Sequence, residues 1–316
     1  RRPGNMSITI RLLILLPIVV LFLGNPCIAQ VREINATVPM SLGSAYCKGE
    51  ISWEDHTEYD VDLLRLALSL SDSDIKVRPS CAEYPTEQRR IAMLQSGDEI
   101  NVVFFGTNAE REEKLLPVYV PIYMGTTGLR LFMTQPEILH ELNDIESLQE
   151  LKKFTMGQGI GWPDGDTLRL NGFSVTDGRY MTLHKMLNAQ RFDLYPRAYW
   201  QIVVEWQWMR ESAPNIIISD KIALYYPQPI YFFVSPKAPE LHKALQIGME
   251  RAFDTGLLWD LLQTHPETAP SFQKLNLKDL RIFRIENPLL PEKSVEAMKK
   301  YSMFQQRRVP EGDSPQ

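Results

Sequence analysis

The sequence predicts an α/β fold built as two lobes joined by two hinge crossovers. Three observations point there. Strand-like runs alternate with amphipathic helical runs in two successive series, and proline-flanked extended segments separate those series. About 285 residues follow a leader-like N-terminus, enough for two medium domains with buried cores.

The leader is read from residues 1–29. Beyond Met6, Arg11 precedes an apolar run of twelve residues, Leu12 to Leu23, and Gly24 and Pro26 then break any helix. Cys27-Ile28-Ala29 sets small residues where a signal peptidase cuts, so cleavage is expected near Ala29. A bilayer-spanning helix needs roughly 20 apolar residues, so a cleaved export signal is the preferred reading over a retained anchor. Pro26 directly before Cys27 argues against lipidation. Without Arg1, Arg2 and Arg11 the mature chain holds 31 basic against 39 acidic residues, a net of −8. An acidic exported chain with no basic tract is a poor match for nucleic acid or an anionic membrane surface. Two cysteines remain, Cys47 and Cys81. In an oxidising compartment they form one disulfide or stay as two separate buried thiols, and the compartment favours the bridge.

The first series begins near Ile34. Over Tyr59 to Leu70, Leu63, Leu64, Ala67 and Leu68 recur at helical spacing, with Asp60 and Asp62 at the positive end of the helix dipole. Asp74 to Ser80 alternates as a strand, Thr86 caps a helix that Gly97 stops, and Ile100 to Phe105 reads as a strand buried on both faces. This order suggests a parallel sheet with crossover helices. The second series has strands at Leu129 to Met133, Phe154 to Gln158 and Arg191 to Tyr195. Its helices fall at Asp144 to Lys153, Thr167 onward, Tyr180 to Ala189 and Tyr199 to Met209. Strands at Asn215 to Ile218 and Ile230 to Val234 follow, then a long helix after Pro239 that breaks at Gly256. Extended segments Pro117 to Tyr123 and Tyr225 to Ile230 would carry the chain between lobes. Lobe one is expected over 31–123 plus 230–291, lobe two over 124–229, and a flexible tail over 292–316. A cleft between such lobes closes by hinge motion.

Four stretches, in order, resemble the periplasmic solute-binding proteins of the amino-acid-binding kind (family 3), which have a bilobal type II periplasmic-binding-protein fold. They are Tyr59 to Ala67; Val102 to Arg111 with Val118 to Tyr123; Leu187 to Asp193; and Leu241 to Leu262 around Asp254-Thr255-Gly256. The resemblance implies that Thr107 and Arg111 hold a ligand carboxylate from lobe one, although the turn has one residue more than the usual Thr-x-x-Arg. A planar guanidinium suits that role, with Glu110 or Glu113 as the alternative partner of a surface arginine. It also implies that the turn Gly157 to Gly165, with Gln158, Gly159, Trp162 and Asp164, presents backbone N–H groups at a helix start. The alternative for that turn is a tight connection with Trp162 capping the core. Trp162 stands where a dinucleotide fingerprint needs its third glycine, and no phosphate loop is present, so no cofactor is expected.

The sequence departs from the family after Asp193. Where an aspartate usually meets the ligand's ammonium group, Leu194-Tyr195-Pro196-Arg197 offers an arginine. Two guanidinium groups in one cleft repel unless an anion lies between them. The expected solute is therefore anionic: an amino acid, a dicarboxylate or a short peptide. Arg197 alternatively pairs with Glu205 or Asp193. Tyr195 is the aromatic residue best placed to stack on a ligand, and those from Tyr199 to Trp208 are mostly core. None of the five histidines sits in a metal-binding spacing, and no Gly-x-Ser-x-Gly elbow exists. The expectation is a monomeric periplasmic binding protein that hands a small-molecule solute to a membrane transporter permease or a sensor. A periplasmic enzyme on the same fold, of dehydratase or cell-wall lyase type, is the alternative, and an interaction domain that binds no solute is another.

Overall fold

The computed structural model describes residues 34–84 and 86–304; the leader expected over 1–29 lies outside the described residues, as do residues 30–33, 85 and 305–316. In chain order the elements are β1 (Asn35–Ser41), α1 (Tyr59–Leu70), β2 (Lys76–Ala82), α2 (Glu87–Ser96), β3 (Val102–Gly106), α3 (Ala109–Lys114) and β4 (Leu116–Pro117). Then come β5 (Leu129–Thr134), α4 (Pro136–Asp144), α5 (Leu148–Leu151), β6 (Met156–Gly159), α6 (Pro163–Leu170), β7 (Val175–Gly178), α7 (Tyr180–Asn188), β8 (Tyr195–Ala198), α8 (Ile202–Met209) and β9 (Ile217–Tyr225). The chain closes with β10 (Ile230–Val234), α9 (Pro239–Asp254), α10 (Leu257–Thr264), α11 (Ala269–Lys274), β11 (Arg281–Arg284) and α12 (Glu292–Tyr301). The architecture is mixed α/β, as the alternating pattern predicts.

Two groups of sheets carry the fold. In the first, β1 and β2 run parallel, while β10 lies antiparallel between β3 and β4. Asn101 links these two sheets with its side chain: Thr37 N–H donates to Asn101 Oδ1 at 2.7 Å, and Asn101 Nδ2 donates to the Asn35 carbonyl at 2.7 Å. The expected all-parallel sheet is therefore split in two, and the antiparallel return of β10 closes the second part. Helices α1 and α9 pack against this group, with Leu63, Leu64, Ala67 and Leu68 facing Leu241, Leu245, Met249 and Ala252 in one core. Cys47 and Cys81 form a disulfide that ties the loop after β1 to β2.

In the second group the strand order is β11-β9-β5-β8, with β6 and β7 paired parallel beside it. Strand β5 is buried on both faces, and the two-residue alternation divides it between two cores. Leu129, Leu131 and Met133 join Leu183, Leu187 and Ile202 on one side; Phe132 joins Leu142, Leu168 and Leu224 on the other.

Two expectations are corrected here. Strand β11 pairs parallel with β9, so 281–284 belong to the second sheet group, although 230–291 was expected to lie wholly in lobe one. The polar stretch after Pro291 is also not a tail from its start. Glu292–Tyr301 is a helix whose Ala297, Met298 and Tyr301 are buried, with Ala297 and Tyr301 in the first core. The chain thus passes between the sheet groups four times rather than twice. At the first two crossings the strands almost touch: Tyr226 N–H donates to the Gly128 carbonyl, and a Cβ on Gly128 would lie 2.2 Å from Tyr226 O. Only glycine allows that approach.

Candidate functional site

Between the two sheet groups lies a cavity of about 200 Å³ walled by four arginines: Arg90, Arg111, Arg130 and Arg197. Larger hollows of about 430 and 420 Å³ exist elsewhere, but neither gathers buried charge in this way.

Each arginine is placed by local structure. Arg90 rides on α2, whose Thr86 cap accepts from Arg89 N–H and whose Gly97 stop is left-handed at φ 66°. Arg111 is on α3, where Asn108 caps by accepting the Arg111 N–H at 2.9 Å. This capping accounts for the extra residue in the Thr107–Arg111 turn, because Asn108 rather than Thr107 starts the helix. Arg130 lies on β5 and Arg197 on β8, in adjacent strands. Arg111, Arg130 and Arg197 are each 5% exposed.

Three of the four positive charges are matched. Arg111 pairs with Glu87 at 2.9 Å rather than with Glu110 or Glu113, and also donates to the Gly106 carbonyl. Arg130 pairs with Asp164, which also accepts the Tyr226 hydroxyl at 2.6 Å. Arg197 grips Glu205 with two bonds of 2.5 and 2.6 Å, and stacks over Tyr195 at 4.8 Å and Trp162 at 5.0 Å. Burial alone disfavours the Arg197 cation, but the Glu205 carboxylate outweighs this and holds its pKa above the ordinary value. Arg90 makes no ion pair among the described residues. Burial pulls its pKa down; Glu87 opposes this and Arg111 adds to it. Arg90 Nε, Arg130 Nε and Thr127 Oγ1 are buried without hydrogen-bond partners, although Arg90, Arg130 and Thr127 all line this cavity. Buried donors are normally satisfied, so their convergence marks a place for a ligand's acceptors.

The residues expected at the site divide into two sets. Arg111, Trp162, Asp164 and Arg197 line one cavity, so both guanidinium groups singled out in the sequence do converge. Thr107 does not line it: its hydroxyl donates to Glu112 at 2.6 Å and its carbonyl accepts from Gln228. Tyr195 is fully buried beneath Arg197 and packs on Phe192, so it supports the wall instead of stacking on a ligand. Gln158 is 1% exposed and also lies off the cavity. Gly159 serves packing as well: a Cβ there would come within 2.4 Å of the Trp162 ring, as one on Gly157 would of Phe192. In the first turn of α6, Asp164 turns its carboxylate to Arg130 and the Tyr226 hydroxyl. Arg90, Arg130 and Thr127 were not singled out in the sequence.

Beside this cavity lies a second of about 170 Å³, sharing Arg90 and Phe104 as walls and including Glu58 and Asp60. Burial, with Glu58 and Glu267 nearby, raises the Asp60 carboxyl to about 8. Because the folded pKa lies above the unfolded one, Asp60 contributes stability that is present below about pH 4 and is lost as pH rises through about 8. Asp60→Asn is expected to flatten the fall in Tm between pH 5 and pH 9; an unchanged slope in thermal melts would refute this burial effect.

Among the described residues no helix is long and apolar enough to cross a membrane, and no group of three His, Cys, Asp or Glu residues is placed to hold a metal ion. No protein-family model and no curated protein matches the chain. An ancestral arginine-binding protein bound to arginine is similar at 16% identity and TM-score 0.48, over 72% of this chain and 97% of that one. A Salmonella typhimurium periplasmic binding protein with high arginine specificity is similar at 12% identity and TM-score 0.49, over 73% and 98%. An ancestral amino-acid-binding protein, a precursor of cyclohexadienyl dehydratase, is similar at 16% identity and TM-score 0.47, over 72% and 94%. The solved structures that this chain resembles in these comparisons are amino-acid-binding and periplasmic binding proteins.

Proposed function

We propose that this protein is a periplasmic binding protein that captures a small anionic solute in the arginine-lined cavity, by closure of its two halves, for a membrane transporter or sensor. One observation carries the reading: four guanidinium groups from both sheet groups meet at one cavity, and three carboxylates balance only three of them. The remaining charge and the unpartnered donors call for an anion. Arg90, Arg130 Nε and Thr127 Oγ1 are the groups that would hold it, with Arg111, Asp164, Trp162 and Arg197 forming the fixed walls. Among the cavity carboxylates, Asp164 is already bound to Arg130 and Tyr226, and Glu87 to Arg111. Neither is free to act as a general acid or base, which favours capture over catalysis.

Thermal unfolding across a panel of monocarboxylates, dicarboxylates, amino acids and short peptides tests the reading. Saturable stabilisation by acids is expected, with neutral amide analogues silent and every ligand recovered intact by chromatography. No stabilisation by any member, or consumption of a stabilising one, would overturn it.

A further inference from the structure

The two adjoining cavities constrain the solute more narrowly than its charge sign does. The net charge of the arginine cavity is one positive unit, since Glu87, Asp164 and Glu205 each already hold a guanidinium. The same carboxylates are the acceptors that an ammonium group would need: Glu87 is taken by Arg111, and the other two are occupied on more than one side. Asp164 holds Arg130 and the Tyr226 hydroxyl. Glu205 holds Arg197, the Tyr180 hydroxyl at 2.8 Å and Gln201 at 3.0 Å. An α-ammonium group adjacent to a bound carboxylate would therefore face a surplus cation, with the three carboxylates of the arginine cavity already committed to guanidinium groups.

Past Arg90 and Phe104 the second chamber is mainly apolar, walled by Val38, Val61, Val102, Val103 and Phe232. Its two acids are Glu58 and Asp60. Burial comes first in raising both carboxyl groups, and Asp60 reaches about 8, so near neutral pH that group is mostly protonated and uncharged. Such a chamber suits a hydrocarbon body with one polar substituent.

Resting on the proposed function, we infer that the solute is a singly charged carboxylic acid without an ammonium group. Its carboxylate is held by Arg90 with the free donors of Arg130 and Thr127, and its apolar body extends past Arg90 into the chamber beside Val61 and Phe232. This class includes 2-oxo acids, hydroxy acids and simple aliphatic or aromatic acids.

Matched pairs that differ only at the amine test the inference by titration calorimetry on the wild-type protein: 4-methyl-2-oxopentanoate against leucine, and phenylpyruvate against phenylalanine. The oxo acid is expected to bind at least about tenfold more tightly than its amino counterpart. From propanoate to hexanoate, affinity should rise about threefold to fourfold per methylene until the chamber is full. Arg90→Gln removes a half-buried side chain with no ion pair to break, so the protein should fold and bind on the order of a hundredfold more weakly. Amino acids binding as tightly as their oxo acids would overturn the inference, as would 2-oxoglutarate, with its second carboxylate, binding best. Both results would leave anion capture standing. An affinity that does not change with chain length would overturn the apolar-body assignment. Silence from every acid, with or without an amine, would overturn anion capture itself.

Discussion

Glu205→Ala is expected to lower the unfolding free energy by about 3–5 kcal/mol. Arg197 is buried, and Glu205 is its charge partner, bonded to it twice at 2.5 and 2.6 Å. Truncating the carboxylate leaves a buried guanidinium against the Trp162 and Tyr195 rings without its carboxylate partner, and frees the Tyr180 hydroxyl and the Gln201 amide as well. Replacing Arg197 and Glu205 together with methionine should recover most of the loss, because the cost comes from the orphaned charge rather than from the pair's net contribution. Urea unfolding of the wild type and the two variants measures this. A loss below about 1 kcal/mol for Glu205→Ala would mean that Arg197 reaches solvent or an alternative anion.

The second large effect lies where α1 crosses α9. A Cβ on Gly248 would fall 1.8 Å from the Ala67 carbonyl oxygen, and the obstacle is backbone, which cannot rotate away. Gly248→Ala is expected to cost about 3 kcal/mol or more by forcing the helices apart at the centre of the first core. Gly43→Ala is the control: the nearest atom to its Cβ would be the Ser41 side-chain oxygen at 3.5 Å, and a change within about 0.5 kcal/mol is expected. Equal effects at the two positions in chemical denaturation would refute the close helix contact.

The strongest helical patterns in the sequence map directly onto the structure. Helix α1 occupies Tyr59–Leu70 and α9 begins at Pro239, because in each an apolar stripe at helical spacing meets a partner across one core. Strand β10 matches its apolar run, Ile230 to Val234. Boundaries in the second series shifted where local signals competed. The helix expected over 144–153 is shortened to α5, which the Ser147–Glu150 capping box opens, and α4, opened by Pro136, precedes it where no helix was expected. Helix α12 carries its signal in the spacing of Ala297, Met298 and Tyr301, hidden among lysines and glutamates that face solvent.

At the site, Arg111 and Arg197 were legible because each falls beside a recognisable turn. Glu205 was among the partners expected for Arg197, and the two do pair, whereas Glu87, the partner of Arg111, was not expected: it lies on another helix, and contact between helices leaves no trace in local spacing. Arg130 did carry a signal, since a lone charge inside the apolar strand Leu129–Thr134 must find a buried partner. Arg90 carried none. Its neighbour Arg89 is exposed, and only the placement of α2 against β3 turns one of the two arginines toward the cavity.

The central claim, that this cavity holds one anion on Arg90, is tested most directly by titration calorimetry of the most strongly stabilising acid into wild-type protein and Arg90→Gln. The account predicts one site per chain in the wild type, and an affinity on the order of a hundredfold weaker in the variant at unchanged Tm. Equal affinity in the two proteins would contradict it.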